Sequence, residues 1–185
     1  LGALPSMLRR CLGLAECGRT GPVLVAMPMD MFSRGMEADL WSRTYRESHA
    51  PVKPALDPAA VKASAKKLVE AERPVLHAGG GILLAQASEE LAALAEFLDI
   101  PVSRTLAGQG CLSDRHPLMI GQTGFWGLEF THSFTVNADV ILGLGPRFGE
   151  ADRSSWYQGV TFDPARTTFL PLDTHPTETG PTSPA

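Results

Sequence analysis

"RPVLHAGGGILLAQASEELAALAEFLDIPV", Arg73 to Val102, is the stretch on which the fold turns. Val75 to Ala78 is a short apolar run that ends in Gly79-Gly80-Gly81. Ser88 then reads as a helix N-cap, with Glu89 and Glu90 in the first turn, where the helix dipole favours acids. Leu91, Leu94, Ala95 and Leu98 recur at helical spacing, and Pro101 to Thr105 is a second apolar run. Strand, glycine turn, helix, strand is the unit from which parallel α/β sheets are built. The triplet itself has two readings. Glycine brings backbone N–H groups close to a phosphate, or it lets a βα turn adopt φ > 0.

The same pattern extends on both sides. Asp57-Pro58 is an N-cap followed by proline at the first helical position, and Val61, Leu68 and Val69 mark an apolar face ending near Glu72, before Pro74. Downstream, "ADVILGLG" (138–145) and "TTFLPLD" (167–173) are further apolar strands. Their residues are apolar without alternation, which predicts a parallel sheet buried on both faces. Upstream, Leu4 to Ala15 predicts a helix with Leu4, Met7, Leu8, Cys11 and Leu12 on one face. Val23 to Met27 predicts a short strand, stopped by Pro28. Between Phe32 and Leu56 periodicity is lost, as in a connector. The expected class is α/β, with a Rossmann-like parallel sheet of about six strands flanked by helices and preceded by a helix–strand remnant of another domain. The expected divisions are that remnant at 1–31, a linker at 32–56, the sheet domain at 57–180 and a tail at 181–185.

Composition narrows the function classes. The chain has 185 residues, a net charge of −4 and 44% hydrophobic residues, enough for one sizeable core and without an electrostatic footprint for nucleic acid or an anionic membrane. It contains no apolar run of spanning length and no signal-peptide order at its start. Cys11, Cys17 and Cys111 are odd in number and match no metal or CxxC spacing, which fits a reducing, cytoplasmic setting. The histidines are scattered, with no second ligand at metal spacing.

Chemistry concentrates where strands end. Gly79–Gly81, Thr105-Leu106 and Gly145-Pro146-Arg147 follow three strands, and in an open parallel sheet ligands bind beyond the carboxyl ends. Arg147 is either a phosphate contact or a surface ion-pairing group. The triplet is neither GxGxxG, since Leu84 stands at the sixth position, nor a P-loop, since no Gly-Lys-Ser/Thr follows. Asp114 and His116 in "SDRHP" read as a polar turn before Pro117 rather than an acid/base pair. Ser154-Ser155 lacks a nucleophile elbow. Asp173 ends a strand, where it either accepts from a ribose or caps the turn at Pro176. An independent Rossmann oxidoreductase is disfavoured, because neither GxGxxG nor a tyrosine–lysine or histidine catalytic arrangement is present.

"RPVLHAGGG", "LAEFLDIPVSRTLAGQG", "HPLMIGQTGFWG", "ADVILGLGPRF" and "LPLDTHPTETG" occur in the order found in the central domain of thiamine-diphosphate-dependent enzymes. The chain resembles the acetolactate synthase-like group, which includes 2-hydroxyacyl-CoA lyase and oxalyl-CoA decarboxylase relatives. "LRRCLGLAECGRTGPVLVAMPMDM" is similar to the end of the preceding pyrimidine-binding domain. The resemblance implies a parent that cleaves and forms C–C bonds beside a carbonyl, using thiamine diphosphate and magnesium. It implies that the activating glutamate and the Gly-Asp-Gly metal motif belong to other domains, so no catalytic residue is expected in this fragment. It also implies a homo-oligomeric parent, dimer or tetramer. The family's central domain holds flavin (FAD) in some members, an adenine nucleotide such as ADP in others, and nothing in many. By resemblance the candidate positions are Gly79, Gly80, Gly81, Thr105, Leu106, Gly121, Gly145, Arg147 and Asp173. Four departures stand against flavin: Thr123 in place of histidine, Gly149-Glu150 in place of Asp-Asp, His175 in place of the second acid of the last motif, and Ala26 in place of an acid. The alternative is a non-catalytic nucleotide-binding or subunit-interaction module of the same fold.

Overall fold

A computed structural model of the chain describes residues 2–18, 20–44, 55, 57–154 and 157–173. His175, positions 45–54 of the expected linker and the tail at 181–185 lie outside the described residues. The chain divides into two compact units, Leu1–Ala55 and Leu56–Ala185.

In the first unit, helix α1 (Leu4–Glu16) starts with Pro5 in its first turn and ends where the Cys17 N–H bonds to the Gly13 carbonyl. A short helix α2 (Leu40–Thr44) follows a 3₁₀ turn at Met29–Ser33. Leu8, Cys11, Leu12 and Ala15 of α1 line an apolar hollow of about 270 Å³ with Val23, Val25 and Trp41. The expected strand at 23–27 does not form: the segment is unpaired. Apolar residues alone do not make a strand. Its backbone needs a neighbouring strand to bond, and the first unit offers none among the described residues.

Among the described residues the second unit holds five strands, all parallel, in the order β3-β2-β1-β4-β5. They are β1 (Pro74–Ala78), β2 (Val102–Arg104), β3 (Met119–Gln122), β4 (Val140–Leu144) and β5 (Thr168–Leu172). Five replaces the expected six. β4 is buried throughout and β1 from its second residue on, while the outer strands are half-covered, so the unalternating apolar runs belong to central strands. Pro171 sits in β5, at the sheet edge, where a missing N–H costs no central ladder bond.

Helix α3 (Pro58–Glu70) is capped by the Asp57 carboxylate, which accepts the Ala59 N–H at 2.9 Å. Only Leu68 of its expected apolar face is buried; Val61 and Val69 are exposed. A short helix α4 (Gly80–Ala85) begins inside the triplet and stops at Gln86, a left-handed residue whose N–H bonds back to Ile82 and Leu83. Helix α5 (Ser88–Leu98) therefore has Ala87, not Ser88, at its N-cap. Ser88 is displaced into the first turn because the α4 terminus fixes where the next helix starts. Helix α6 (Glu129–Asn137) lies against β3 and turns Thr131 and Thr135 inward. Their hydroxyls donate to the carbonyls of Ile120 and Thr161, at 2.6 and 2.5 Å.

The two sheet faces differ in chemistry. Leu76, Ala78, Val102, Leu142 and Leu144 pack with Leu68, Ile82, Leu91, Ala95 and Ile100 in an aliphatic core. Val75 and Ile141 pack on the other side with Phe148, Phe162 and Phe169. The two entry turns are tied together by Asp139, whose carboxylate accepts the N–H groups of Glu72 and Arg73 at 2.7 and 3.0 Å.

Candidate functional site

The strand order reverses at β1. The chain runs outward from β1 to β2 to β3, then returns to place β4 on the other side of β1. The carboxyl ends of β1 and β4 are therefore the topological switch point, the place where open α/β sheets take ligands. Gly79–Gly81 follows β1 there and Gly145 follows β4.

The structure shows what the glycines do locally. A Cβ on Gly79 would run into the Gly145 carbonyl and the Pro146 Cα, and one on Gly81 would stand 2.7 Å from the Gly145 Cα. A Cβ on Gly108 would meet the Ala78 carbonyl. The three loops after β1, β2 and β4 thus pack backbone on backbone. None of the triplet needs φ > 0; Gly145, at φ 67°, is the residue that does. Of the two readings of the triplet, the one that rests on φ > 0 therefore does not apply. Two triplet amides are already engaged, Gly79 N–H with Leu144 O at 3.0 Å and Gly81 N–H with Gly145 O at 3.1 Å. Gly80 N–H has no protein acceptor among the described residues.

Gly145 is left-handed, Pro146 is buried, and Phe148 is left-handed and buried on the aromatic face, with its ring 5.5 Å from that of His77. Two buried anchors on either side push Arg147 into solvent, where it has no hydrogen-bond or ionic partner among the described residues. Thr105 is buried, bonds through its N–H to Ala78 O, and accepts the Gly108 N–H on its hydroxyl at 3.0 Å. Leu106 beside it is exposed. Asp173 follows β5, adjacent to Gly145, whose N–H bonds to Leu172 O at 2.8 Å. Gly79, Gly80, Gly81, Thr105, Leu106, Gly145, Arg147 and Asp173 thus share the carboxyl edge. Gly121 does not: it sits within β3 at φ 106°, where a Cβ would stand 2.9 Å from the Thr131 hydroxyl, so it serves the packing of α6.

Residues that the sequence reading passed over also meet here. Gly124 packs on the 3₁₀ turn Ala151–Arg153, and Phe125 N–H bonds to Ala151 O at 2.8 Å, joining the loop after β3 to the loop after β4. Asp152 in that turn is half-buried, and desolvation pushes its carboxyl above the ordinary 3.8, against the pull of the Leu106 and Gly149 amides. An acid therefore faces the Leu106 backbone, where a phosphate would otherwise find a donor. Thr123 is buried and donates to Arg104 O at 3.3 Å, so it presents nothing to the edge. Asp114 pairs with Arg104 and His116 with Glu96, so the two form no acid/base pair with each other. Among the described residues no three His, Cys, Asp or Glu side chains gather as a metal site.

The family model for the thiamine pyrophosphate enzyme, central domain, matches residues 61–185. A probable acetolactate synthase large subunit of Methanocaldococcus jannaschii is 36% identical over 149 residues, covering 80% of this chain and 25% of that protein. A glyoxylate carboligase of Escherichia coli O157:H7 is 34% identical over 159 residues, covering 82% of this chain and 25% of that protein. The chain thus spans about a quarter of the length of these curated relatives. A thiamine diphosphate-dependent 4-hydroxybenzoylformate decarboxylase of Rhodococcus jostii RHA1 shares the fold, with a TM-score of 0.75 at 19% identity, over 98% of this chain and 34% of that one. Five parallel strands, a glycine-packed switch point and a family match over most of the chain lead to one assignment: the chain belongs to the thiamine pyrophosphate enzyme family, as its central domain.

Proposed function

We propose that this chain is the non-catalytic central domain of a larger enzyme that makes or breaks a C–C bond beside the carbonyl of a 2-oxo acid or 2-hydroxyacyl compound. The similarity to an acetolactate synthase large subunit over 149 residues supports this most directly. In this reading thiamine diphosphate and magnesium are held by other domains of the parent chain, which works as a cytoplasmic homo-oligomer, dimer or tetramer. The central domain contributes a rigid platform whose glycine-packed edge sets the spacing of its loops.

A second reading of the same edge has its own support. Among the described residues Gly80 N–H and Arg147 are without protein partners at the switch point, which suits the phosphates of an adenine nucleotide, ADP or the ADP half of FAD. When bound, such a group would lie across Gly79–Gly81, Thr105 and Gly145, with Leu106 beside it and Asp173 near its ribose. Asp152 opposes the phosphates of either at Leu106, and Thr123 offers no flavin contact, so ADP is favoured over FAD. Calorimetric titration of ADP and FAD into wild type and Arg147→Ala tests this. A charge-assisted bond is worth roughly 1.5–3 kcal/mol, so the variant should bind ADP about tenfold or more weakly. No binding at millimolar ligand leaves the edge a scaffold. Saturable thiamine diphosphate binding by this chain, near micromolar, would overturn the first reading.

A further inference from the structure

The loop at 124–128 is short, rich in glycine and carries two exposed aromatic rings, Phe125 and Trp126, stacked edge to face at 5.4 Å. Three backbone bonds shape it: Thr123 N–H to Arg104 O at 2.9 Å, Phe125 N–H to Ala151 O at 2.8 Å, and Gly127 N–H to Gly124 O at 2.8 Å. A fourth comes from a side chain. His132, on the first turn of α6, accepts the Gly124 N–H on Nε2 at 3.1 Å. A backbone N–H only donates, so Nε2 carries a lone pair and the ring proton sits on Nδ1. The ring is closely fitted, since a Cβ on Gly127 would stand 2.5 Å from Nε2.

We propose that His132 is a proton-operated latch on this aromatic loop: the neutral ring holds the Gly124 N–H, and the imidazolium gives it up. Protonated Nε2 is itself a donor and faces another donor. The acceptor that the Gly124 backbone offers it is the carbonyl, which takes the Gly127 N–H on one lone pair and has a second free, so protonation trades the bond to the Gly124 N–H for one to the Gly124 carbonyl. The titratable and charged groups near the ring are few. Glu129 stands earlier on α6, and Asp152 and Arg153 lie on the 3₁₀ turn against Gly124. Burial lowers the ring's pKa below the ordinary 6.5, and the Gly124 backbone works the other way. The latch is therefore closed at neutral pH and opens on acidification.

Amide hydrogen exchange of residues 123–128 from about pH 7.5 down through the titration of His132, followed by its imidazole ¹⁵N shifts and corrected for intrinsic rates, reads the latch directly. In the full chain the protection of Gly124 should fall about tenfold on acidification while the β1 amides keep theirs. His132→Gln retains an acceptor without a titrating group, so its Gly124 protection should be flat. Asp152→Asn should keep the wild-type fall. A flat wild type, or the same fall in His132→Gln, overturns the proposal. If His132→Gln loses its sheet protection, imidazole ¹⁵N shifts of the wild type decide. Nε2 unprotonated at neutral pH supports the latch, and the opposite tautomer overturns it.

Discussion

His77 lies in β1, next to its last residue, fully buried, with Phe148 stacked on its ring at 5.5 Å and Phe162 edge-on at 5.3 Å. The Ser103 hydroxyl reaches the Leu76 carbonyl at 3.4 Å, so His77 Nδ1–H is the donor in the 2.9 Å contact with Ser103 Oγ. Nε2 is then left without a hydrogen-bond partner. Burial pushes the His77 pKa from 6.5 down to about 3. The sign follows from linkage. Between those values the unfolded chain binds a proton that the native chain refuses, so stability is full above pH 6.5 and falls as pH drops toward 3. The loss is about tenfold in the folding equilibrium per pH unit. His77→Leu removes both the titration and the orphaned nitrogen. Urea unfolding across this range should show a slope shallower by up to one proton than that of wild type. An unchanged slope would place the acid sensitivity elsewhere. Asp139 works lower on the scale. Desolvation raises its carboxyl, but the amides of Glu72 and Arg73 outweigh it and hold the pKa below 3.8, so its contribution is lost only in stronger acid.

At the scale of elements, the loops at the carboxyl edge behave as one packed object. Gly81→Ala forces a methyl onto the Gly145 backbone, which neither loop can yield, and should cost roughly 1–3 kcal/mol with or without ligand. Gly149→Ala has its nearest neighbour at 3.8 Å and should stay within about 0.5 kcal/mol of wild type. Thermal unfolding of the two variants measures the contrast; equal losses would mean that the triplet is not a packing device. This role was hidden in the sequence because it depends on which loop faces which. Gly145 lies far downstream of Gly79, and the two become neighbours only through the β1–β4 pairing. The elements themselves were unevenly legible. β1, β2 and β4 stand out as apolar runs because both of their faces are covered or nearly so, and β5 is read the same way although it is a half-covered edge strand. β3 does not, since Gly121 interrupts a half-exposed strand. α6 is inverted relative to the usual pattern: it buries threonines and exposes Phe130 and Phe134, so its apolar residues give no inward stripe. The segment at 23–27 is the converse case, strand-like in composition and unpaired in the structure.

At the scale of the whole molecule, the residues that make the sheet and both of its cores lie within Leu56–Ala185. That segment expressed alone should unfold cooperatively with an unchanged midpoint, as followed by circular dichroism. Loss of cooperativity would show that Leu1–Ala55 is needed for the core. The strand order also bears on how the chain behaves as it is made. β1, β2 and β3 leave the ribosome first, yet the other side of β1 is completed only when β4 emerges and sets Val140 opposite Pro74 and Leu144 opposite Ala78. Until then β1, buried from its second residue on in the finished sheet, presents an open edge, the feature that recruits strands from other chains. Nascent chains stalled before Asp139 should therefore be the stickiest species this protein passes through, and translation of "ADVILGLG" the step at which that exposure ends.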